Sequence, residues 1–390
     1  MLAWLPEVSP AAQQRLIAAA RKLVSFQASS VKAWLGLGNL LLEAGLPQEA
    51  AEILLEAAQR LASEPQLQLL LAEAQRQIGE TDAAVAAADK ACSLAPADQQ
   101  TRLKQFDMLV ATRCWERVAA SFDRIASVAP ARNSVIQAHA HFARSGDNPE
   151  ILLNACEAAL ARQPGHTLAL HHKAVALWML GRDAEAKAVM GLDSLVSLAE
   201  LPVHDDQNCG ASLRDTLTSE ILRNPTLVPD PHGKATRAGL QTRSLLQRGD
   251  KAVPALLEMI KSAVERYVDG LGPISHPFTA AAPSRVRLDA WAVVYPKDGR
   301  QNSHLHPAGW ISGVTYVTAP RIARESSYRG PLVLGELDAE RYPKPPPWGA
   351  REVEPVPGRI VLFPSFVPHA TRPTGIPEQR VSIAFDVRPA

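Results

Sequence analysis

Residues 304–317 read His304-Leu305-His306-Pro307-Ala308-Gly309-Trp310-Ile311-Ser312-Gly313-Val314-Thr315-Tyr316-Val317. Two histidines two positions apart stand just before an alternating apolar run, the period of a β-strand. On extended backbone both imidazoles project from one face, which is how a sheet presents metal ligands. A second strand-like run, 358–365, leads into Phe366-Val367-Pro368-His369. Beyond it comes Arg380-Val381-Ser382-Ile383-Ala384-Phe385. There Arg380 and Ser382 share strand parity and can hold one carboxylate together, the arginine by a two-pronged ionic contact and the serine by a hydrogen bond. Tyr316 has the parity of His304 and His306, with Pro307 and Gly309 able to shift the register between them.

Outward from that stretch, candidate strands fall at 285–295, 311–317, 330–337, 359–363 and 380–387, separated by Pro- and Gly-containing loops. Short strands spaced in this way predict an antiparallel barrel or jelly roll that brings His304, His306 and His369 to one mouth. Ahead of them, 251–268 reads as an amphipathic helix with Val253, Leu256, Leu257, Ile260, Val264 and Tyr267 on one stripe, expected to buttress the sheet. A shorter helix is expected at 212–223. The polar, turn-prone segment 202–210 marks a domain boundary. The segment 342–348, Tyr342-Pro343-Lys344-Pro345-Pro346-Pro347-Trp348, should be extended and stiff, a structural loop or a lid over the mouth.

The first half is different in texture. Pro96, Pro130 and Pro164 are 34 apart, as are Gly45 and Gly79, and Gly181 lies three such periods further on. Trp34, Leu37, Gly38, Leu41, Ala50, Leu54 and Ala57 form a pattern of large and small residues that lets paired helices approach closely, with glycine at the turn and proline after the second helix. About five units run from residue 31 to 190, with Arg113 standing where the turn glycine is expected. This half carries His139, His141, His166, His171 and His172, whose helical spacing does not converge on one ion; they read as ordinary side chains. His232 and His276, each beside a proline, read as surface residues.

Composition narrows the partners. The 390 residues hold 41 basic and 40 acidic side chains, which favours neither nucleic acid nor an acidic membrane surface. The four cysteines, Cys92, Cys114, Cys156 and Cys209, show no paired spacing and read as free thiols. No apolar run reaches membrane-spanning length and the first residues lack a basic, then long apolar, leader, so the expected location is the cytoplasm.

The repeat resembles the tetratricopeptide family, which implies a curved α-solenoid whose concave face recruits a protein or peptide. His-x-His-Pro with Trp-Ile-Ser-Gly-Val-Thr-Tyr-Val, then Gly358 to Ser365 leading to His369, then Arg380 to Phe385, resembles a branch of the Fe(II)/2-oxoglutarate-dependent oxygenases. Gly239-Leu240-Gln241-Thr242 belongs to the same resemblance. It implies a C-terminal double-stranded β-helix (jelly roll) holding Fe(II) through His304, His306 and His369. It also implies 2-oxoglutarate as cosubstrate with O₂, held by Arg380 and Ser382 with Tyr316 as a further contact, and hydroxylation of a C–H bond. The expected layout is a multidomain α plus β chain: repeats over 1–200, a connector with buttressing helices over 201–274, and the oxygenase core over 275–390. Such oxygenases usually carry a carboxylate where His306 stands. The residues alone therefore leave three possibilities: a three-histidine site, a carboxylate such as Glu336 or Asp338 completing the shell, or a water. Two other functions stay open, a retired interaction module and a cupin-like three-histidine dioxygenase that does not use 2-oxoglutarate.

Overall fold

The computed structural model describes residues 2–5, 10–146, 148–202, 212–231, 234–245, 252–272, 274–320 and 330–390. Cys209, His232 and all but Pro202 of the expected boundary at 202–210 lie outside the described residues. The chain divides into two compact units, Val8–His141 and Met1–Glu7 with Phe142–Ala390.

In the first unit the helices Val31–Glu43, Pro65–Ile78 and Gln99–Ala111 start 34 residues apart, each followed by a partner: Pro47–Arg60, Thr81–Leu94 and Trp115–Val128. Alanines at the expected small positions, Ala50, Ala57, Ala84 and Ala91, are fully buried, the first three in one core with Leu37, Leu41, Leu54 and Leu71. A Cβ on Gly38 would meet the Leu54 and Leu70 side chains at 2.9 Å, so this close approach depends on glycine. At the turn within each pair the chain passes through left-handed backbone at Gly45, Gly79 and, with φ of 59°, Arg113. An arginine there bears a strain of about 1–2 kcal/mol that glycine would not.

The 34-residue period continues across the division between units. Pro149–Arg162, Thr167–Met179 and Asp183–Met190 fold with the sheets. In chain order the strands are β1 (Ala3–Trp4), β2 (Ser197–Glu200), β3 (Val228–Pro229), β4 (Thr236–Arg237) and β5 (Leu240–Gln241). After two helices come β6 (Arg285–Tyr295), β7 (Arg300–His304), β8 (Ile311–Thr318) and β9 (Leu332–Leu334). The last four are β10 (Arg351–Val353), β11 (Arg359–Pro364), β12 (His369–Thr371) and β13 (Arg380–Pro389).

They form two sheets, one ordered β2-β11-β8-β13-β6-β5-β3 with β1 alongside β6, the other β10-β9-β12-β7-β4. This corrects the expected jelly roll: the sheets are separate and open, not closed into a double-stranded β-helix. The larger sheet ends at β2, which arrives from just after the repeats to pair with β11, and at the two-residue β3. The smaller sheet ends at the three-residue β10 and two-residue β4. Among the described residues no ladder carries either edge into the other sheet.

Alternation assigns the faces of the larger sheet. Leu288, Ala290, Ala292 and Val294 of β6, with Val381, Ile383 and Val387 of β13, join the core containing Leu256, Ile260 and Val264 of the helix Ala252–Gly270. Leu170 and Ala174 of the last repeat belong to the same core. The opposite parity, Trp291, Val293 and Tyr295 beside Arg380, Ser382 and Ala384, lines a pocket that residues of the smaller sheet close.

Candidate metal centre

β7 ends on His304 and β12 begins on His369, and these two residues are register partners in an antiparallel pair. His306 is not on that strand: the chain leaves β7 after His304 and turns through 307–308. The three histidines nonetheless converge, with one ligand-capable atom from each lying within 4.8 Å of the others. Among the described residues this is the only such cluster. Among the described residues no carboxylate joins it. Glu336 pairs with Arg372, and Asp338 pairs with Arg341 at 3.2 Å.

The hydrogen bonds orient each ring. His304 Nδ1 lies 2.8 Å from the Asn302 carbonyl and His369 Nδ1 lies 3.2 Å from that of Val367. His306 Nδ1 lies 2.6 and 2.7 Å from the two oxygens of Asp386. Oxygens of these kinds accept, so Nδ1 donates in each ring; in a neutral ring that leaves the Nε2 lone pair for a metal. Burial, and then the neighbouring His306, pushes His304 down to about 4. Burial, and then His304 and His306, holds His369 well below the ordinary histidine range. Both rings are thus neutral near pH 7, the state a metal needs.

The last repeat supports both turns that carry these residues. Thr167 Oγ1 donates to the Gly309 carbonyl at 2.9 Å, beyond His306. His171, driven down to about 4 by burial, has a backbone hydrogen bond to Phe366, three residues before His369. Trp348 is pinned, donating from Nε1 to the Gly335 carbonyl at 2.9 Å and packing 6.1 Å from Trp178. His276 is a correction: it is buried, not on the surface, where it caps the helix Pro277–Ala280 and stacks on Phe366 at 5.8 Å. His139 and His141 pack on Phe122 and Trp115, and His166 caps the helix Thr167–Met179.

Further into the pocket, Arg380 has no exposed surface. Its guanidinium stacks over Tyr295 at 4.5 Å and donates to the carbonyls of Gly330 and Arg372. Its Nε has no partner, and among the described residues no carboxylate pairs with it. Burial lowers its affinity for the proton, opposed by Tyr295 and Tyr316. Gly330, at φ of +59°, lets backbone approach: a Cβ there would sit 2.7 Å from Arg380 Nη1. Ser382 and Tyr316, register partners across β13 and β8, line the same pocket. Burial pushes the Tyr316 hydroxyl up to about 12, so it stays protonated as a donor.

Sequence reasoning missed Tyr295, Trp291 and Asp386. Asp386 was visible in principle, since it continues the parity of Arg380 and Ser382 along one strand. Tyr295 and Trp291 have the parity opposite to the core residues of β6.

Two family models match. One described as "Putative 2OG-Fe(II) oxygenase" covers residues 289–386, and one described as "Tetratricopeptide repeat" covers residues 65–98. Comparison with curated proteins found no match. Among solved structures, a Pseudomonas putida prolyl-4-hydroxylase is 20% identical with a TM-score of 0.36, covering 52% of this chain and 98% of that one. A Trichoplax adhaerens prolyl hydroxylase, solved with a hypoxia inducible factor peptide fragment, is 13% identical with a TM-score of 0.34, covering 54% and 92%. A tetratricopeptide repeat protein from Parabacteroides merdae is 18% identical with a TM-score of 0.37, covering 46% and 70%. With TM-scores below 0.5, these likenesses decide nothing about function. The chain carries a tetratricopeptide-repeat region, an architecture suited to binding protein or peptide, and a separate 2OG-Fe(II) oxygenase-like domain with a three-histidine cluster. No helix among the described residues is long and apolar enough to cross a membrane.

Proposed function

We propose that this protein is an Fe(II)- and 2-oxoglutarate-dependent oxygenase that hydroxylates a C–H bond of a protein or peptide recruited by its repeats. The observation that carries this reading is Arg380, a buried cation that has no carboxylate partner among the described residues, in the pocket that also holds three converging histidines. A buried charge without its counterion is costly, and a dicarboxylate cosubstrate would supply that counterion.

His304, His306 and His369 would hold the iron through Nε2. Arg380 and Ser382 would take the far carboxylate of 2-oxoglutarate, with the Tyr316 hydroxyl as a further donor. Bound together, iron, 2-oxoglutarate and O₂ supply the oxidation of C–H to C–OH, with succinate and CO₂ formed from the cosubstrate. The protein's share is to fix the three rings by their Nδ1 hydrogen bonds, to neutralise the carboxylate deep in the pocket, and to exclude water with the two sheets.

The three-histidine set also suits a dioxygenase that does not use 2-oxoglutarate. Anaerobic addition of Fe(II) and then 2-oxoglutarate, followed by the weak visible charge-transfer band, separates the two. A band is the expected result, and iron uptake without one would favour the second reading. Succinate release stimulated by peptides that bind the repeats tests recruitment.

A further inference from the structure

We propose that Asp386 is a positioning residue that makes His306 the electron-rich ligand of the site, supplying through the His306 ring the negative charge that a set of imidazole ligands lacks. This rests on the reading that the three histidines hold a divalent metal.

The supporting observation is an asymmetry. His304 and His369 are oriented by neutral backbone carbonyls, whereas His306 Nδ1 faces both oxygens of a carboxylate at 2.6 and 2.7 Å. A hydrogen bond to an ionised acceptor is roughly twice as strong as a neutral one, and it shifts electron density toward Nε2. Asp386 is 2% exposed, so its charge is little screened by water.

The carboxylate is held from its other side as well. Ser312, its register partner on β8, donates to Oδ1 at 2.7 Å and is itself 2.8 Å from Ser365 Oγ. Arg388 stands 4.0 Å from Asp386 and 2.8 Å from Asp289, so the shorter contacts to Asp386 come from His306 and Ser312. One strand, β13, therefore places the proposed cosubstrate clamp at Arg380 and the charge behind the metal at Asp386, six residues on and on the same face.

The test uses the full chain. In Zn(II)-loaded protein labelled with ¹⁵N-histidine, long-range ¹H–¹⁵N correlations should show the His306 proton on Nδ1, facing Asp386, with Nε2 left to the metal. Titration with Co(II) alone should give an affinity 10- to 100-fold weaker for Asp386→Asn than for wild type. Ser312→Ala, which keeps the charge, should lose less. A proton on His306 Nε2 in the Zn(II)-loaded wild type, or Asp386→Asn binding Co(II) within twofold of wild type, overturns the proposal. Should Asp386→Asn fail to fold, the wild-type protonation pattern decides alone. Co(II) binding that depends on Asp386 in a protein giving no 2-oxoglutarate band would sink the proposed function and leave this inference standing.

Discussion

Replacing Arg380 by Met tests the proposed function where it is most exposed. The side chain is fully buried, with neutral carbonyl partners and the Tyr295 ring around it. If 2-oxoglutarate provides its missing anion, the variant leaves a carboxylate buried without a cation. Breaking a buried charge pair in this way costs about 3–5 kcal/mol. At about 1.4 kcal/mol per tenfold, cosubstrate affinity should fall between about 100-fold and several thousand-fold. The shape-preserving Met removes a desolvated cation along with its hydrogen bonds, so the melting temperature without cosubstrate should stay within a few degrees. The assay is anaerobic thermal unfolding of the Fe(II)-loaded protein with and without 2-oxoglutarate. At 100 times its Kd the cosubstrate stabilises wild type by about 2.7 kcal/mol, and at that concentration a variant 100-fold weaker gains only about 0.4 kcal/mol. Equal shifts in the two proteins, with iron bound in both, would refute the clamp and the counterion argument behind it.

Three further outcomes are expected. His369→Ala should lose stoichiometric iron on anaerobic desalting, measured by metal analysis; full retention would remove His369 from the ligand set. Gly330→Ala forces a Cβ into left-handed backbone against Arg380 Nη1, so it should cost about 1–3 kcal/mol in urea unfolding and weaken 2-oxoglutarate binding, and an unchanged Kd would count against the role of Gly330. Burial places His171 at about 4 against an ordinary 6.5. The unfolded state therefore takes up the proton first as pH falls. The contribution of neutral His171 is complete above about pH 6.5 and is lost toward pH 4, by at most about 3 kcal/mol. His171→Gln should flatten that part of the stability–pH curve, and an identical curve would refute the assignment.

How much was legible depended on the length of each signal. The 34-residue period was readable because five helix pairs repeat the same solution, in which small residues at Ala50, Ala57, Ala84 and Ala91 admit close helices. Long strands such as β6 and β13 announced themselves by alternation over ten residues or so. Strands β3, β4, β5, β9, β10 and β12, of two or three residues, carry no readable period, and they include the edges β3, β4 and β10. Openness was therefore invisible in the sequence, and a closed jelly roll was expected in its place. The buried state of His276 was missed for a related reason, since its partners Val189 and Phe366 are distant in sequence.

The sequence alone determined the repeat, the two-residue spacing of His304 and His306, and the shared parity of Arg380 and Ser382, because these depend on local backbone periods. Tertiary structure decided which residues meet. The β7–β12 pairing sets His304 opposite His369, and the chain leaving β7 after His304 brings His306 to both. The two sheets enclose Arg380, with no carboxylate partner among the described residues, and β13 delivers Asp386 to the back of His306. Those contacts join positions tens of residues apart, and only chain packing, not local preference, selects among such partners.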